Sequence, residues 1–209
     1  MNYLLNLLTD RQTDRQTDRR VRWVTLGEIA NYSTSRIAAN RLNSNTYIGV
    51  DNLLQGKGGR TLSSYVPVAG RLTEYQPGDV LIGNIRPYLK KIWLADNIGG
   101  TNGDVLVVRL KEKGINPKFL YYLLSSDKFF SYHMQNAKGA KMPRGSKEAV
   151  MRYMIPLPSF EEQNRIAEIL DRFDALVNDL KTGLPAEIAL RRKQYEHYRD
   201  TLLTFPQTN

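Results

Sequence analysis

Three short stretches place arginine or lysine beside hydroxyls, asparagine and glycine. The first is Tyr32-Ser33-Thr34-Ser35-Arg36. The second is Gly83-Asn84-Ile85-Arg86-Pro87-Tyr88-Leu89-Lys90-Lys91. The third is Lys138-Gly139-Ala140-Lys141-Met142-Pro143-Arg144-Gly145-Ser146-Lys147. Ser, Thr, Asn and open backbone N–H groups hold phosphate oxygens, while Arg and Asn carry the paired groups that read base edges in the major groove. The same composition also makes ordinary solvated loops, in which glycine only turns the chain. For one stretch alone the two readings are about level. Three on one basic segment favour double-stranded DNA as partner. The candidate DNA contacts are Ser33, Ser35, Arg36, Asn84, Arg86, Tyr88, Lys90, Lys91, Lys138, Lys141, Arg144 and Lys147. Arg86 and Arg144 are the first choices for base reading or register setting. For Arg86, packing over Tyr88 or pairing with Asp79 is an equal alternative.

The charge distribution agrees. Residues 21–157 hold 19 Lys/Arg against 9 Asp/Glu, whereas residues 158–209 hold 7 against 9. A polyanion is the natural partner of the first segment, and another helix that of the second. The whole chain, 209 residues with net charge +9, is long enough for one core and an appendage. It has no cysteine, which removes disulfides, thiolate nucleophiles and Cys-ligated metal, and fits a cytoplasmic setting. No apolar run reaches membrane-spanning length, so no membrane is expected.

The elements that must position the basic stretches read as a small, mostly-sheet unit. Thr46–Val50, Val80–Ile82, Ile92–Ala95 and Val105–Leu110 are predicted strands, with Pro77-Gly78-Asp79 a turn before the second. Gly56, Gly58, Gly59 and Gly99-Gly100 are predicted flexible loops. Asn116-Pro117 opens a predicted helix whose apolar residues run through Phe119–Leu124 and Phe129–Met134.

Beyond Pro158 the pattern changes. Ser159-Phe160-Glu161-Glu162 is a capping box, with Glu162 expected to reach back to Ser159. Ile166, Ile169, Phe173, Leu176 and Leu180 follow at 3-4-3-4 spacing. Gly183-Leu184-Pro185 interrupts, and a second helix carries Ile188, Tyr195, Tyr198, Leu202 and Phe205 on one face. Two helices of about 70 Å in total exceed what a lone domain of this size covers. Part of the seam is therefore expected to meet another chain or a second copy. The fold class is α+β: a sheet-rich recognition domain at 21–157, then long coiled-coil-type helices at 158–209.

Residues 1–20 are a low-complexity tail, expected to be disordered. Thr9–Gln12 and Thr13–Gln16 are identical Thr-Asp-Arg-Gln copies. The codons ACA-GAC-AGA-CAG would encode that unit as repeats of a tetranucleotide, so a slippage-prone tract that switches the reading frame is expected; mixed synonymous codons there would exclude it.

Catalytic patterns are missing. There is no phosphate-binding loop, no dinucleotide fingerprint and no amino-methyltransferase or nuclease signature. His133 and His197 lack metal-ligand spacing and read as ordinary histidines. No catalytic residue, metal or cofactor is assigned, and the chain by itself is not expected to be an enzyme.

Several longer stretches resemble one family. They are Leu26-Gly27-Glu28-Ile29-Ala30, Tyr47-Ile48-Gly49-Val50-Asp51-Asn52-Leu53, Pro77 through Leu89, and Ile155-Pro156-Leu157-Pro158 leading to Glu162-Gln163, Ile166-Ala167 and Leu170-Asp171. Arg191-Arg192-Lys193-Gln194-Tyr195 and Tyr198-Arg199-Asp200 continue the match. The chain resembles one half of the specificity subunit of type I restriction–modification enzymes, over about residues 22–205. The resemblance implies a target recognition domain that reads part of a bipartite DNA site, and a helical spacer that sets the distance to a second such domain. It also implies a modification (methyltransferase) subunit, which binds S-adenosylmethionine, and a restriction subunit for ATP-driven translocation and cleavage. Family members usually carry two recognition domains, and this sequence has one. Either it pairs as a homodimer of half-subunits, or it is a truncated form that docks on the modification subunit without reading DNA.

Overall fold

The computed structural model describes residues 21–179 and 185–205. The repeat tail at 1–20 and Leu180 lie outside the described residues, as does the side chain of Ile188. The fold is α+β, built on three sheets and six α-helices among those residues.

The central sheet has the order β2-β9-β6-β7, all antiparallel, from Ala30–Tyr32, Val105–Leu110, Val80–Gly83 and Ile92–Leu94. Its middle strands are continuous apolar runs because both faces are covered. Val80, Ile82, Leu106 and Val108 point to one side, into a large core shared with the helices. Leu81, Val105 and Val107 point to the other, into a second core with Ile48, Leu53, Tyr75 and Trp93. That core is closed by a second sheet, β3-β5-β8-β4, from Arg36–Ala38, Arg71–Tyr75, Gly99–Thr101 and Tyr47–Ile48. The pair β4–β8 is parallel. A two-stranded ribbon of β1 (Arg22–Thr25) and β10 (Met154–Leu157) brings the start of the described chain against residue 157.

Gly99 and Gly100 are therefore strand residues, not a flexible loop. A Cβ on Gly99 would lie 2.0 Å from the Thr46 carbonyl oxygen and 2.3 Å from the Tyr75 hydroxyl. The sheet is built around the missing side chain.

The short α1 (Leu26–Ile29) follows β1. The helix predicted to open at Asn116-Pro117 is two helices, α2 (Pro117–Leu124) and α3 (Asp127–Gln135). Asn116 caps the first, its Oδ1 accepting from Lys118 N at 2.8 Å. Ser126 caps the second, accepting from Phe129 N at 3.2 Å. Two successive serines supply the break, since a serine side chain competes for backbone donors and favours a new N-terminus. α4 (Lys147–Arg152) precedes β10.

The last two helices are α5 (Phe160–Asp179) and α6 (Pro185–Leu202). Ser159 Oγ accepts from Glu162 N at 3.3 Å, while the Glu162 carboxylate holds Arg165 at 2.6 and 2.8 Å. α5 and α6 pack on each other, with Phe173 stacked on Tyr198 at a ring distance of 5.3 Å. Ile166 and Leu170 of α5 and Leu202 of α6 lie in the same core as the central sheet. α6 therefore runs back to the domain that α5 leaves.

This packing corrects the expected seam. Ile166 and Leu202 are buried within the chain's own core, with Ile169 and Tyr195 packed against it, so these four are not free surface for a second copy. Heptad spacing cannot distinguish a face that meets its own domain from one that meets another chain. Leu176, half exposed in the outer part of α5, is still open, as is Leu190 on α6.

Candidate nucleic-acid interface

The sheet ends two of the basic stretches side by side. Asn84 follows β6, and its N–H donates to the Asp104 carbonyl at 2.8 Å. The chain then meets the third stretch. Gly145 N–H donates to the Asn84 carbonyl at 2.9 Å, and Arg86 N–H donates to the Pro143 carbonyl at 2.7 Å. The third stretch is itself a tight hairpin, closed by Lys138 and Arg144 exchanging backbone bonds of 2.9 and 2.8 Å. These few bonds draw the segments that carry Arg86 and Arg144 together, and Arg86, Tyr88, Lys138, Lys141 and Arg144 are all exposed.

Two positions set the loop shapes. Arg86 has φ 51°, left-handed backbone that a non-glycine residue seldom adopts, and it turns its exposed side chain out of the sheet. Gly145 has no room for a side chain: a Cβ would lie 1.9 Å from His133 Cε1. His133 is fully buried beneath it, against Phe129, and neither ring nitrogen has a hydrogen-bond partner among the described residues. Burial brings its pKa down to about 4, so the ring is neutral at ordinary pH. His133 thus resolves as a core histidine under the loop.

Arg144 Nη2 lies 3.2 Å from Asp104 Oδ1, but its side chain is 62% exposed. An exposed pair of this kind is weak, and a phosphate can displace the carboxylate. Arg86 does not pair with Asp79. That carboxylate is buried and held by Arg109 through bonds of 2.7 and 2.9 Å, which raise the Arg109 pKa.

The other candidate contacts divide by how their polar atoms are used. Lys147 is exposed at the start of α4, and its carbonyl accepts from Tyr32 Oη at 2.8 Å, which ties the first stretch to the third. Arg36 is exposed, with Nη1 on Thr73 Oγ1 at 2.7 Å. Ser33 Oγ donates to the Glu74 carbonyl at 2.7 Å, and Ser35 Oγ accepts from Arg109 at 3.2 Å. These serines tie the connection between β2 and β3 to β5 and β9. Lys91 Nζ donates to the Val50 carbonyl at 2.7 Å, and Lys90 Nζ pairs with Asp127 at 2.9 Å. Asn84 is buried, its Oδ1 without a partner among the described residues. Ser33, Ser35, Asn84, Lys90 and Lys91 therefore shape the surface, whereas the sequence grouped them with the residues that form it. Composition shows that a residue is polar, not where its polar atom is already bonded.

One feature of this region has no motif behind it. Ser63 is buried, bonding the Tyr65 backbone through its Oγ, and Asn52 Nδ2 donates to the Leu62 carbonyl at 3.4 Å. That segment buries Ser63 and leaves Leu62, Tyr65 and Val68 61%, 69% and 87% exposed. The lack of charge between Arg60 and Arg71 is its sole trace in the sequence.

Known proteins share this fold. A model of the type I restriction modification DNA specificity domain matches residues 21–190. The chain belongs to that family. It is 43% identical over 89 residues to the type I restriction enzyme EcoR124I/EcoR124II specificity subunit of Escherichia coli, covering 37% of this chain and 22% of that protein. The crystal structure of the HsdS subunit from Thermoanaerobacter tengcongensis superimposes with a TM-score of 0.59 at 26% identity, over 91% of this chain and 49% of that one. A chain from work on complex assembly and conformational transition of the type I R-M system superimposes with a TM-score of 0.59 at 25% identity, over 88% and 47%. This chain thus spans less than half the length of these relatives.

Proposed function

We propose that this chain reads DNA sequence for a type I restriction–modification assembly and performs no catalysis itself. The observation that supports this is the backbone pairing of residues 84–86 with 143–145, which joins two basic loops bearing exposed Arg86, Lys138, Lys141 and Arg144 within a specificity-family fold. The recognition unit is residues 21–157, and 158–209 is the spacer and partner-binding part. The modification subunit brings S-adenosylmethionine and methyl transfer, and the restriction subunit brings translocation and cleavage. The chain acts as a homodimer of half-subunits. A twofold pair of single readers fits a palindromic, interrupted site. The setting is cytoplasmic; among the described residues no helix is long and apolar enough to cross a membrane.

Methylome mapping of cells that express this chain with its modification subunit tests the reading. A methylated two-part site that disappears in an Arg86→Ala, Arg144→Ala strain is the expected result. Methylation without sequence preference, or at sites unaffected by those changes, would overturn it. Sedimentation, alone and with the modification subunit, tests the dimer. A single copy in both cases would favour the truncated docking form instead.

A further inference from the structure

Behind the basic surface, three segments far apart in sequence converge on one carboxylate. Asp127, the first residue of α3, is bonded through Oδ1 to Lys57 Nζ at 2.8 Å and Lys90 Nζ at 2.9 Å. Arg199 Nη2 of α6 lies 3.9 Å from Oδ2. Partial burial works against the Asp127 charge, but the two ammonium groups outweigh it and bring the pKa down to about 2. The carboxylate is therefore ionised throughout the ordinary pH range.

The two lysines reach it from an unusual backbone. Lys57 has φ 65° and Lys90 φ 50°, both left-handed. Their loops are joined by Gly56 N–H donating to the Leu89 carbonyl at 2.8 Å and Lys57 N–H to the Lys90 carbonyl at 2.9 Å. Lys90 ends the turn that carries Arg86 and Tyr88. α6 reaches this joined pair once directly, at Gly56, and once through Asp127. Arg192 Nη2 donates to the Gly56 carbonyl at 3.1 Å. Arg199, 1% exposed, also bonds Asp200 at 2.9 Å and lies 5.8 Å from the Tyr195 ring centre. Arg192 and Arg199 are two helical turns apart and share one face.

We infer that Asp127 is a positioning residue that fixes the return helix α6 against the loop bearing Arg86 and Tyr88. The orientation of the reading surface on the helical pair then depends on this carboxylate, together with the Arg192 tie and the packing of Leu202 in the core. Backbone bonds join the two loops, but among the described residues α6 makes no backbone bond to them, only side-chain ties. Without Asp127, Lys57, Lys90 and Arg199 face one another with Asp200 the remaining carboxylate of the group. The functional consequence rests on the DNA reading proposed above: if α6 sets where a second recognition unit lies, Asp127 sets the gap between the two halves of the site.

The chain has no cysteine, so introduced cysteines take spin labels at chosen sites. Labels at Arg152→Cys in α4 and Lys193→Cys in α6, on the full chain diluted with unlabelled chain, report the angle between domain and helix by pulsed electron resonance. The parent should give one narrow distance, Asp127→Asn a broadened or shifted distribution, and Asp127→Glu the narrow one again. Should Asp127→Asn fail to fold, Lys90→Met removes one tie and must broaden the distribution. A distance as narrow as the parent's in Asp127→Asn, or in Lys90→Met where that stands in, overturns the inference. No DNA is present, so failure of the DNA reading leaves this result intact. Selection from a randomised duplex pool then reads the consequence: the same bases as the parent, with neighbouring gap lengths admitted. The same bases with the parent's single gap would overturn the claim that Asp127 sets spacing.

Discussion

The exposed basic surface and the joint behind it are made from neighbouring residues of the same loops, yet they obey opposite rules. Arg86, Tyr88, Lys138 and Lys141 project outward from backbone that is firmly bonded. Lys57, Lys90, Lys91 and Arg199 turn inward, each with a bonded partner. Alternation of these two uses along Arg86–Lys91 shows that a run of basic residues is not one functional unit. The loop holds its shape with some of its cations and leaves others exposed. Changes on the inward side should cost stability, and changes on the outward side should cost DNA binding alone.

The sharpest test is Gly145. Alanine there drives a Cβ into a His133 ring that is itself walled in, and should cost about 3 kcal/mol or more. The double change Gly145→Ala with His133→Ala should cost less than the sum of the two, because each relieves the other's clash or cavity. Additive losses in denaturant titrations would show that the contact does not organise the loop.

His133 gives a pH signature of similar size. Its folded pKa, about 4, lies below the unfolded value near 6.5. The unfolded chain therefore binds more protons between those values, and stability falls as pH drops from 6.5 towards 4. The loss should approach about 3 kcal/mol at full burial. His133→Phe should flatten that slope in melts recorded across the range.

Gln163 comes next. It is buried, its Oε1 accepting from Asn116 N–H at 3.0 Å and its Nε2 donating to the Pro158 carbonyl at 3.0 Å. Gln163→Leu should cost about 2 kcal/mol by leaving a buried backbone donor unpaired. Calorimetry of the whole chain measures it.

On the outward side, Arg86→Ala should change stability by less than about 0.5 kcal/mol. On DNA, a bidentate guanine contact would make it cost about 1–3 kcal/mol at one base, and a phosphate contact would make the loss equal on every sequence. With about six phosphates neutralised, log affinity should fall with a slope near −5 against log salt. A slope near zero would break the division between the two sides. The smallest effect on folding is expected from Leu176→Ala with Leu190→Ala. Both side chains are exposed, so melting should barely move while sedimentation shifts towards monomer.

Much of this was legible in the sequence. Continuous apolar runs at Val80–Ile82 and Val105–Leu110 marked buried strands, and the charge excess of residues 21–157 pointed to the polyanion partner proposed above, because periodicity and net charge are properties of the chain itself. The Pro-Leu-Pro to Glu-Gln run marked the family. Its physical reason emerged only in the fold, where Gln163 fastens α5 to the start of α2. Tertiary structure alone decided that Gly99 is a strand residue and that Ile166 and Leu202 belong to the chain's own core. It alone brought Lys57, Lys90 and Arg199 to Asp127. Those outcomes depend on which distant segment arrives at a given side chain, and a hydroxyl, an ammonium or a missing Cβ has the same local signature whether that neighbour is water, a carboxylate or a ring.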